Sequence, residues 1–201
     1  NCIVLLGHNP RKHSWTPIYN LIEAARARGA KVIVADPRVS EQAELADIHL
    51  QLRAGTDAAM LLGWLKVIID EGLYDADFVR DWCVGFEELR ARVDEYPLER
   101  VEAICGVERE LIAEAARTYA RADGAVIPWT PITDMQISST SAIRLQSILR
   151  AITGNLDVVG GELLNGLNPG FRTEAELQLH DEISPQQRAK QLGYDTHPVY
   201  T

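Results

Sequence analysis

CIVLLGHNP at residues 2–10, TPIYNLIEAARARGA at residues 16–30 and KVIVADPR at residues 31–38 decide the fold of this chain. Cys2-Ile-Val-Leu-Leu6 is a short continuous apolar run closed by Gly7, the pattern of a strand buried on both faces. Thr16-Pro17 offers an N-cap followed by proline at the first helical position. Ile18, Leu21, Ile22 and Ala25 recur on one helical face, and Gly29 stops the helix. Lys31-Val-Ile-Val-Ala35 is a second buried strand, ending at Asp36-Pro37-Arg38. Strand, helix and strand at this spacing form a parallel, right-handed βαβ unit.

Reading outward from that unit, Ala46–Leu52 alternates as a third strand and Thr56 can cap the helix that follows. Leu61, Leu62, Leu65, Ile68 and Ile69 make its apolar stripe before Gly72. Helical segments are expected over 75–83, 86–95 and 107–122; in the last, Leu111, Ile112, Ala115, Ala116 and Tyr119 keep the period. Ala125–Trp129 reads as a further strand entering a Thr/Pro-rich loop, and Ser139–Ile152 as a helix closed by Gly154. The chain turns Gly/Asn/Pro-rich at Asp157 and loses strong periodicity after Gly161. The expectation is an α/β fold, a Rossmann-like parallel sheet flanked by helices, over residues 1–161. Residues 162–201 read as a linker or extension. A chain that enters its first strand at residue 2 without a methionine reads as one domain of a larger multidomain enzyme.

The 201 residues are 46% hydrophobic and 24% charged, which suits a globular chain and argues against wholesale disorder. No run approaches the roughly 20 apolar residues of a spanning helix. With 20 Lys+Arg against 29 Asp+Glu the net charge is −9, a poor basis for gripping nucleic-acid phosphates. We therefore expect neither a nucleic-acid partner nor a membrane contact, and a cytoplasmic protein whose export signal, if any, lies upstream. Cys2, Cys83 and Cys105 are an odd number with no CxxC pair and read as reduced, partly buried thiols. His8, His13, His49, His180 and His197 form no metal-ligand spacing. No metal ligand is expected here.

Ligands of an open parallel sheet lie off the carboxyl ends of its strands. Three such ends carry suitable chemistry. Gly7-His8-Asn9-Pro10 combines a glycine that allows close backbone approach with a side chain that donates and accepts. Asp36 stands where a carboxylate accepts from ribose hydroxyls, and Arg38 carries a planar fork for phosphate. Gly55-Thr56-Asp57 opens a helix, and Asp57 can take the adjacent N–H groups of a guanine edge. Singly, these glycines read as turns and these charges as a helix-start carboxylate or a surface ion pair; the ordered set reads as a site for a nucleotide diphosphate. GxGxxG and GxxxxGK[ST] are both missing, so an ordinary NAD site and a P-loop are unsupported.

Several segments carry a resemblance. They are Gly7-x-Asn9-Pro10, Ala27–Arg38, Ala46-Asp47-Ile48-His49-Leu50, Leu52-Arg53-x-Gly55-Thr56-Asp57-Ala58-Ala59, Glu71–Asp75, Gly85–Leu89, Ile152–Asp157 and Gly160-Gly161. In order and spacing they resemble the molybdopterin oxidoreductase family, of the dimethyl-sulfoxide-reductase type. The resemblance runs from residue 2 to about 161, with Arg53-Ala54-Gly55 departing mildly from the family's Arg-Pro-Gly. It implies an enzyme holding tungsten or molybdenum between two molybdopterin guanine dinucleotides, with this segment embracing one guanine nucleotide. It further implies cofactor contacts at Gly7, Asn9, Asp36, Arg38, Gly55 and Asp57. The metal-ligating cysteine, the proton-transferring carboxylate and a [4Fe-4S] cluster are implied upstream of Asn1, so no catalytic residue is expected in this chain and the isolated piece should be inactive.

Within the family, Trp82–Leu89, Glu95-Tyr96-Pro97-Leu98, Ile127-Pro128-Trp129, Thr133–Gln136 and Ser141–Arg144 are similar to the tungsten branch that hydrates acetylene to acetaldehyde in anaerobic metabolism. That likeness places Trp15 and Trp129 in a hydrophobic ring around the substrate; covering a strand end or filling core are their plain structural alternatives. Trp64 and Trp82, within helical segments, are expected to pack. Two rivals stand beside the hydratase. One is a family oxidoreductase of the formate, nitrate or thiosulfate type, acting on a small oxyanion. The other is a non-enzymatic nucleotide-binding module. The remaining partner implied is the rest of the same polypeptide.

Overall fold

The computed structural model describes residues 1–12, 18–164 and 182–190. The chain divides into two compact units, Asn1–Leu164 and Asn165–Thr201. In the first, β1 (Cys2–Leu6), β2 (Lys31–Ala35), β3 (Ile48–Leu50) and β4 (Ala125–Val126) form one parallel sheet in the order β3-β2-β1-β4. Paired residues fall on the same face, Ile3 opposite Val32 and Val4 opposite Ile33. Alternate side chains therefore feed two separate cores. Ile3, Leu5, Val32 and Val34 pack under α1 (Ile18–Ala27) and α2 (Glu41–Glu44). Cys2, Val4, Leu6, Ile33 and Ala35 join the larger core.

That larger core is built on α3 (Asp57–Asp70), α4 (Ala76–Trp82), α5 (Phe86–Asp94), α6 (Leu98–Cys105), α7 (Arg109–Ala120) and α9 (Ser139–Ile152), with α8 (Pro131–Asp134) ahead of α9. α3 is its axis. Met60 to Leu65 and Val67 to Ile69 are all buried, and Gly63 is small because a Cβ there would lie 3.0 Å from Val101. Trp64 stacks against Tyr119 of α7 with ring centroids 5.9 Å apart. The sequence stripe of five apolar residues describes only one face of a helix that is enclosed nearly all round. In the second unit, α10 (Pro185–Arg188) starts at Ser184, whose side chain accepts from Gln187 N in a capping box.

The outer edge of β4 is closed by side chains rather than by another strand. Asn155 Oδ1 accepts from Ala125 N at 2.7 Å and Glu162 Oε1 from Ile127 N at 2.7 Å. Arg150 ties the two together, donating to Ile127 O at 2.6 Å and pairing with Glu162 at 3.0 Å. Edge groups satisfied in this way cannot template another strand. Glu162 is thus part of the first unit, which extends to Leu164.

The expected architecture is present, and its differences lie in short elements. The third strand covers 48–50 rather than 46–52, and the fourth stops at Val126 rather than Trp129. α2, α6 and α8 are additional; α2 and α8 are single turns of four residues, too brief for a periodic pattern to emerge. Thr56 stands at the N-cap of α3 without capping it: its hydroxyl donates to Arg53 O at 2.7 Å. Leu21 is exposed beside a stripe made by Ile18, Ile22 and Ala25. Trp82 ends α4 with 79% of its surface exposed, so it does not pack as expected. The Thr16-Pro17 cap lies outside the described residues.

Candidate functional site

The sheet order reverses at β1: β2 and β3 lie to one side, β4 to the other. The crevice off the carboxyl ends of β1 and β4 is the topological switch point where ligands of open α/β sheets bind. Gly7 leaves β1 there with φ +58°, a conformation that L side chains avoid, and its N–H donates to Ala35 O at 2.8 Å. The space a Cβ would take is filled: it would meet Ile132 Cγ2 at 2.8 Å. The close approach that this glycine allows is therefore to α8 of its own chain. Two residues on, Asn9 Oδ1 is buried with no hydrogen-bond partner among the described residues, a costly arrangement unless a donor arrives from elsewhere.

At the end of β2, Asp36 is buried and its Oδ1 accepts from Arg38 N at 2.8 Å. The Arg38 guanidinium lies 3.6 Å from the same oxygen, with most of its side chain in solvent. This is the tight turn with an ion pair that the sequence allowed as the plain reading. It leaves the Arg38 fork exposed and the Asp36 carboxyl fixed. His49 on β3 contacts Asp36 O through Nε2 at 3.0 Å, a structural role that stiffens the same loop.

The third strand end is organised by Arg53, which donates to Ala103 O at 2.6 Å and Ile104 O at 3.0 Å at the end of α6. Those carbonyls are the unpaired acceptors of a helix C-terminus. Gly55 follows with φ +82° and open space where its Cβ would stand. Asp57 begins α3 beyond it. Loss of hydration raises the Asp57 carboxyl above its ordinary value; the nearby Asp36 charge adds to this, while Gln136 and the helix-start backbone oppose it. Asp36, Asp57 and the segment carrying Gln136 therefore share one neighbourhood.

That segment, 129–137, was expected to be the end of a strand at Trp129 followed by a Thr/Pro-rich loop. Thr130 Oγ1 donates to Leu6 O at 3.1 Å, which pins it to the end of β1. Thr133 Oγ1 donates to Thr130 O at 2.8 Å, and Ile132 covers Gly7. Trp129 is 63% exposed, so it does not fill core; its Nε1–H donates to Asp134 Oδ2 at 2.9 Å. Ile132, Met135 and Ile137 are exposed beside it. Trp15 lies outside the described residues.

Gly7, Asn9, Asp36, Arg38, Gly55 and Asp57 thus all stand at carboxyl strand ends. Sequence reading missed Thr130 and Ile132, which carry no motif, and Gln42; Gln136 lay in the similar segment Thr133–Gln136 but was given no site role. Gln42 is fully buried on α2, both its amide atoms lack a hydrogen-bond partner among the described residues, and α2 packs against the Pro10–Lys12 turn. One polar residue among the three of Glu41-Gln42-Ala43-Glu44 gives no sequence signal that it is the buried one. Among the described residues no group of His, Cys, Asp and Glu is arranged to hold a metal, and no helix is long and apolar enough to cross a membrane. All three thiols are free, and burial pushes Cys2 up to about 12. A groove of about 780 Å³ lies between α3, α5 and α9, lined by Phe86, Leu89, Tyr96, Leu145 and Ile148 among others. None of the expected contacts line it.

A family model described as molybdopterin oxidoreductase matches residues 1–158. The chain is 47% identical to acetylene hydratase of Syntrophotalea acetylenica over 201 residues, 100% of this chain and 27% of that protein. It is 39% identical to formate dehydrogenase H of Escherichia coli K12 over 167 residues, 83% of this chain and 23% of that one. Among solved structures, acetylene hydratase from Pelobacter acetylenicus superposes with a TM-score of 0.82 at 47% identity, covering 98% of this chain and 27% of that one. The chain spans about a quarter of the length of these relatives.

Proposed function

The chain belongs to the molybdopterin oxidoreductase family, and from that membership we propose that it holds the guanine nucleotide of one pterin in a tungsten or molybdenum enzyme that hydrates acetylene to acetaldehyde. The observation that carries this reading is Trp129: an exposed indole at the switch point, in a chain similar along its whole length to acetylene hydratase.

The residues present suit the nucleotide end of a bis-molybdopterin guanine dinucleotide. The buried Asn9 Oδ1 has an acceptor to offer, Gly55 leaves open space at the turn, and the fork of Arg38 is free to reach phosphate. Asp36, buried and fixed by its own turn, is the proposed acceptor for ribose hydroxyl groups. Asp57 can accept from two neighbouring N–H groups of guanine, whose donation would stabilise a charge that burial disfavours. Gly7 serves indirectly, by letting Ile132 lie over it and fix the segment that carries Trp129. When bound, the metal supplies the Lewis acidity for adding water to a triple bond. An iron–sulfur cluster and the proton-transferring carboxylate belong to other parts of the protein.

Acetylene has no hydrogen-bonding handle, so its position is set by apolar walls that keep water away. Trp129, with Trp15 as its proposed companion, gives this chain such a wall. The test is acetaldehyde formation from acetylene by the full-length, anaerobically purified enzyme with no electron acceptor present. Turnover that falls roughly tenfold or more in Trp129→Ala supports the reading. Metal-loaded enzyme that makes no acetaldehyde but reduces a dye with formate would replace it with the oxidoreductase reading, which the likeness to formate dehydrogenase H favours.

A further inference from the structure

We infer that Asp134 is a positioning residue: it fixes the Trp129 indole and engages its only polar atom, so that the ring offers a dry, oriented face to an apolar substrate. The inference rests on the substrate role proposed above for Trp129.

An exposed indole lacks the packing that would select one rotamer, and its two side-chain torsions are free to wander. Here another device selects the rotamer. Nε1–H is the sole hydrogen-bonding group of the ring, and it donates to Asp134 Oδ2 at 2.9 Å. A bond to an ionised acceptor is stronger than one to a neutral group. The two partners stand on either side of one turn, Trp129 just before the N-cap Thr130 and Asp134 at the last residue of α8. That turn is itself held in place. Thr130 Oγ1 reaches Leu6 O, Thr133 Oγ1 reaches Thr130 O, and Ile132 fills the space over Gly7. The carboxylate is therefore anchored to the end of β1 through two buried hydroxyls, and the indole is anchored to the carboxylate.

Two consequences follow for an apolar molecule. A wall already oriented spares the entropy of ordering it at each binding event. An N–H already bonded to carboxylate also has no need of a water that the substrate would have to displace. Asp134 touches no substrate in this scheme and takes no proton. Its loss should weaken substrate binding more than it slows the chemical step.

The experiment uses the full-length, cofactor-loaded enzyme labelled with 5-fluorotryptophan, with the Trp129 ¹⁹F resonance identified by its loss in Trp129→Phe. Asp134→Ala and the conservative Asp134→Asn, which keeps an acceptor oxygen, are compared for that resonance and for acetylene kinetics. The expected result is a Trp129 resonance moved toward that of a mobile, solvated indole in Asp134→Ala. KM for acetylene should rise roughly three- to tenfold with kcat within about twofold, and Asp134→Asn should recover most of both. In the Trp129→Phe background Asp134→Ala should add little, because the bond is already gone. A resonance indifferent to Asp134→Ala overturns the inference while leaving the hydratase reading intact. So does a resonance that moves with KM unchanged, in an enzyme that Trp129→Ala still disables. If Trp129→Ala itself leaves acetylene turnover untouched, the pocket role of Trp129 fails and this inference fails with it.

Discussion

Asp57, the proposed guanine contact, sets folding against binding at the level of single residues. Its carboxyl is raised above the ordinary value chiefly by loss of hydration and next by Asp36. A carboxyl raised on folding adds stability below its unfolded value, and that contribution is lost as pH climbs through the folded value. Asp57→Asn should therefore stabilise the cofactor-free protein at pH 7 and flatten its stability profile between the ordinary carboxylate value and the raised one. Thermal melts across pH 3.5–8 would check this. The same substitution turns one acceptor into a donor facing a donor, so guanine-nucleotide retention should fall by roughly tenfold or more. Equal retention by wild type and variant would remove Asp57 from the binding set. The thiols give a second residue-scale expectation. Cys2 and Cys105 are buried and Cys83 only partly so, and the thiolate is the reactive form. Peptide mapping after native alkylation should find Cys83 labelled well before the other two.

Among the elements, α4 and β4 show how local chemistry sets boundaries. Asp75 precedes α4, and its Oδ1 accepts from Phe78 N at 2.8 Å, a regular N-cap. Asp75→Ala should cost about 0.5–2 kcal/mol, measured by urea unfolding. The two-residue β4 relies on Asn155, which is buried and accepts from Ala125 N while donating to Thr153 Oγ1 at 2.8 Å. Asn155→Leu strands a buried N–H and should cost about 1–3 kcal/mol in the same measurement. Long elements were legible from sequence because periodicity accumulates with length. α9 covers the expected Ser139–Ile152, and α7 is the expected periodic core shortened at both ends. α6 was not legible, although Pro97 precedes it, and Arg53 could not be understood without it. The partners of that guanidinium are carbonyls some fifty residues away.

Across the whole molecule, the first unit runs to Leu164, two residues past the partly buried ion pair of Arg150 with Glu162. The loss of regular pattern after Gly161 suggested a boundary there, yet Glu162 accepts from Ile127 N and pairs with Arg150. A piece ending at residue 161 should be less stable than one ending at 164 by about 2 kcal/mol or more, since it leaves Arg150 without its carboxylate and the Ile127 N–H without an acceptor. Parallel urea titrations of the two pieces would decide it.

The sequence alone determined the parallel α/β architecture, the strand ends that carry Gly7, Asn9, Asp36, Arg38, Gly55 and Asp57, and the family. Each of these is written in local periodicity or in a run of neighbouring residues, where a few adjacent side chains suffice to fix the outcome. Tertiary structure alone decided that β1 and β4 flank the switch point, that Gly7 makes room for Ile132, that Trp82 faces solvent, and that Asp134 holds Trp129. These depend on which surfaces meet after the chain has crossed from β3 to β4. No local pattern encodes such a meeting, because its free energy arises from packing and hydrogen bonds between residues far apart in the chain.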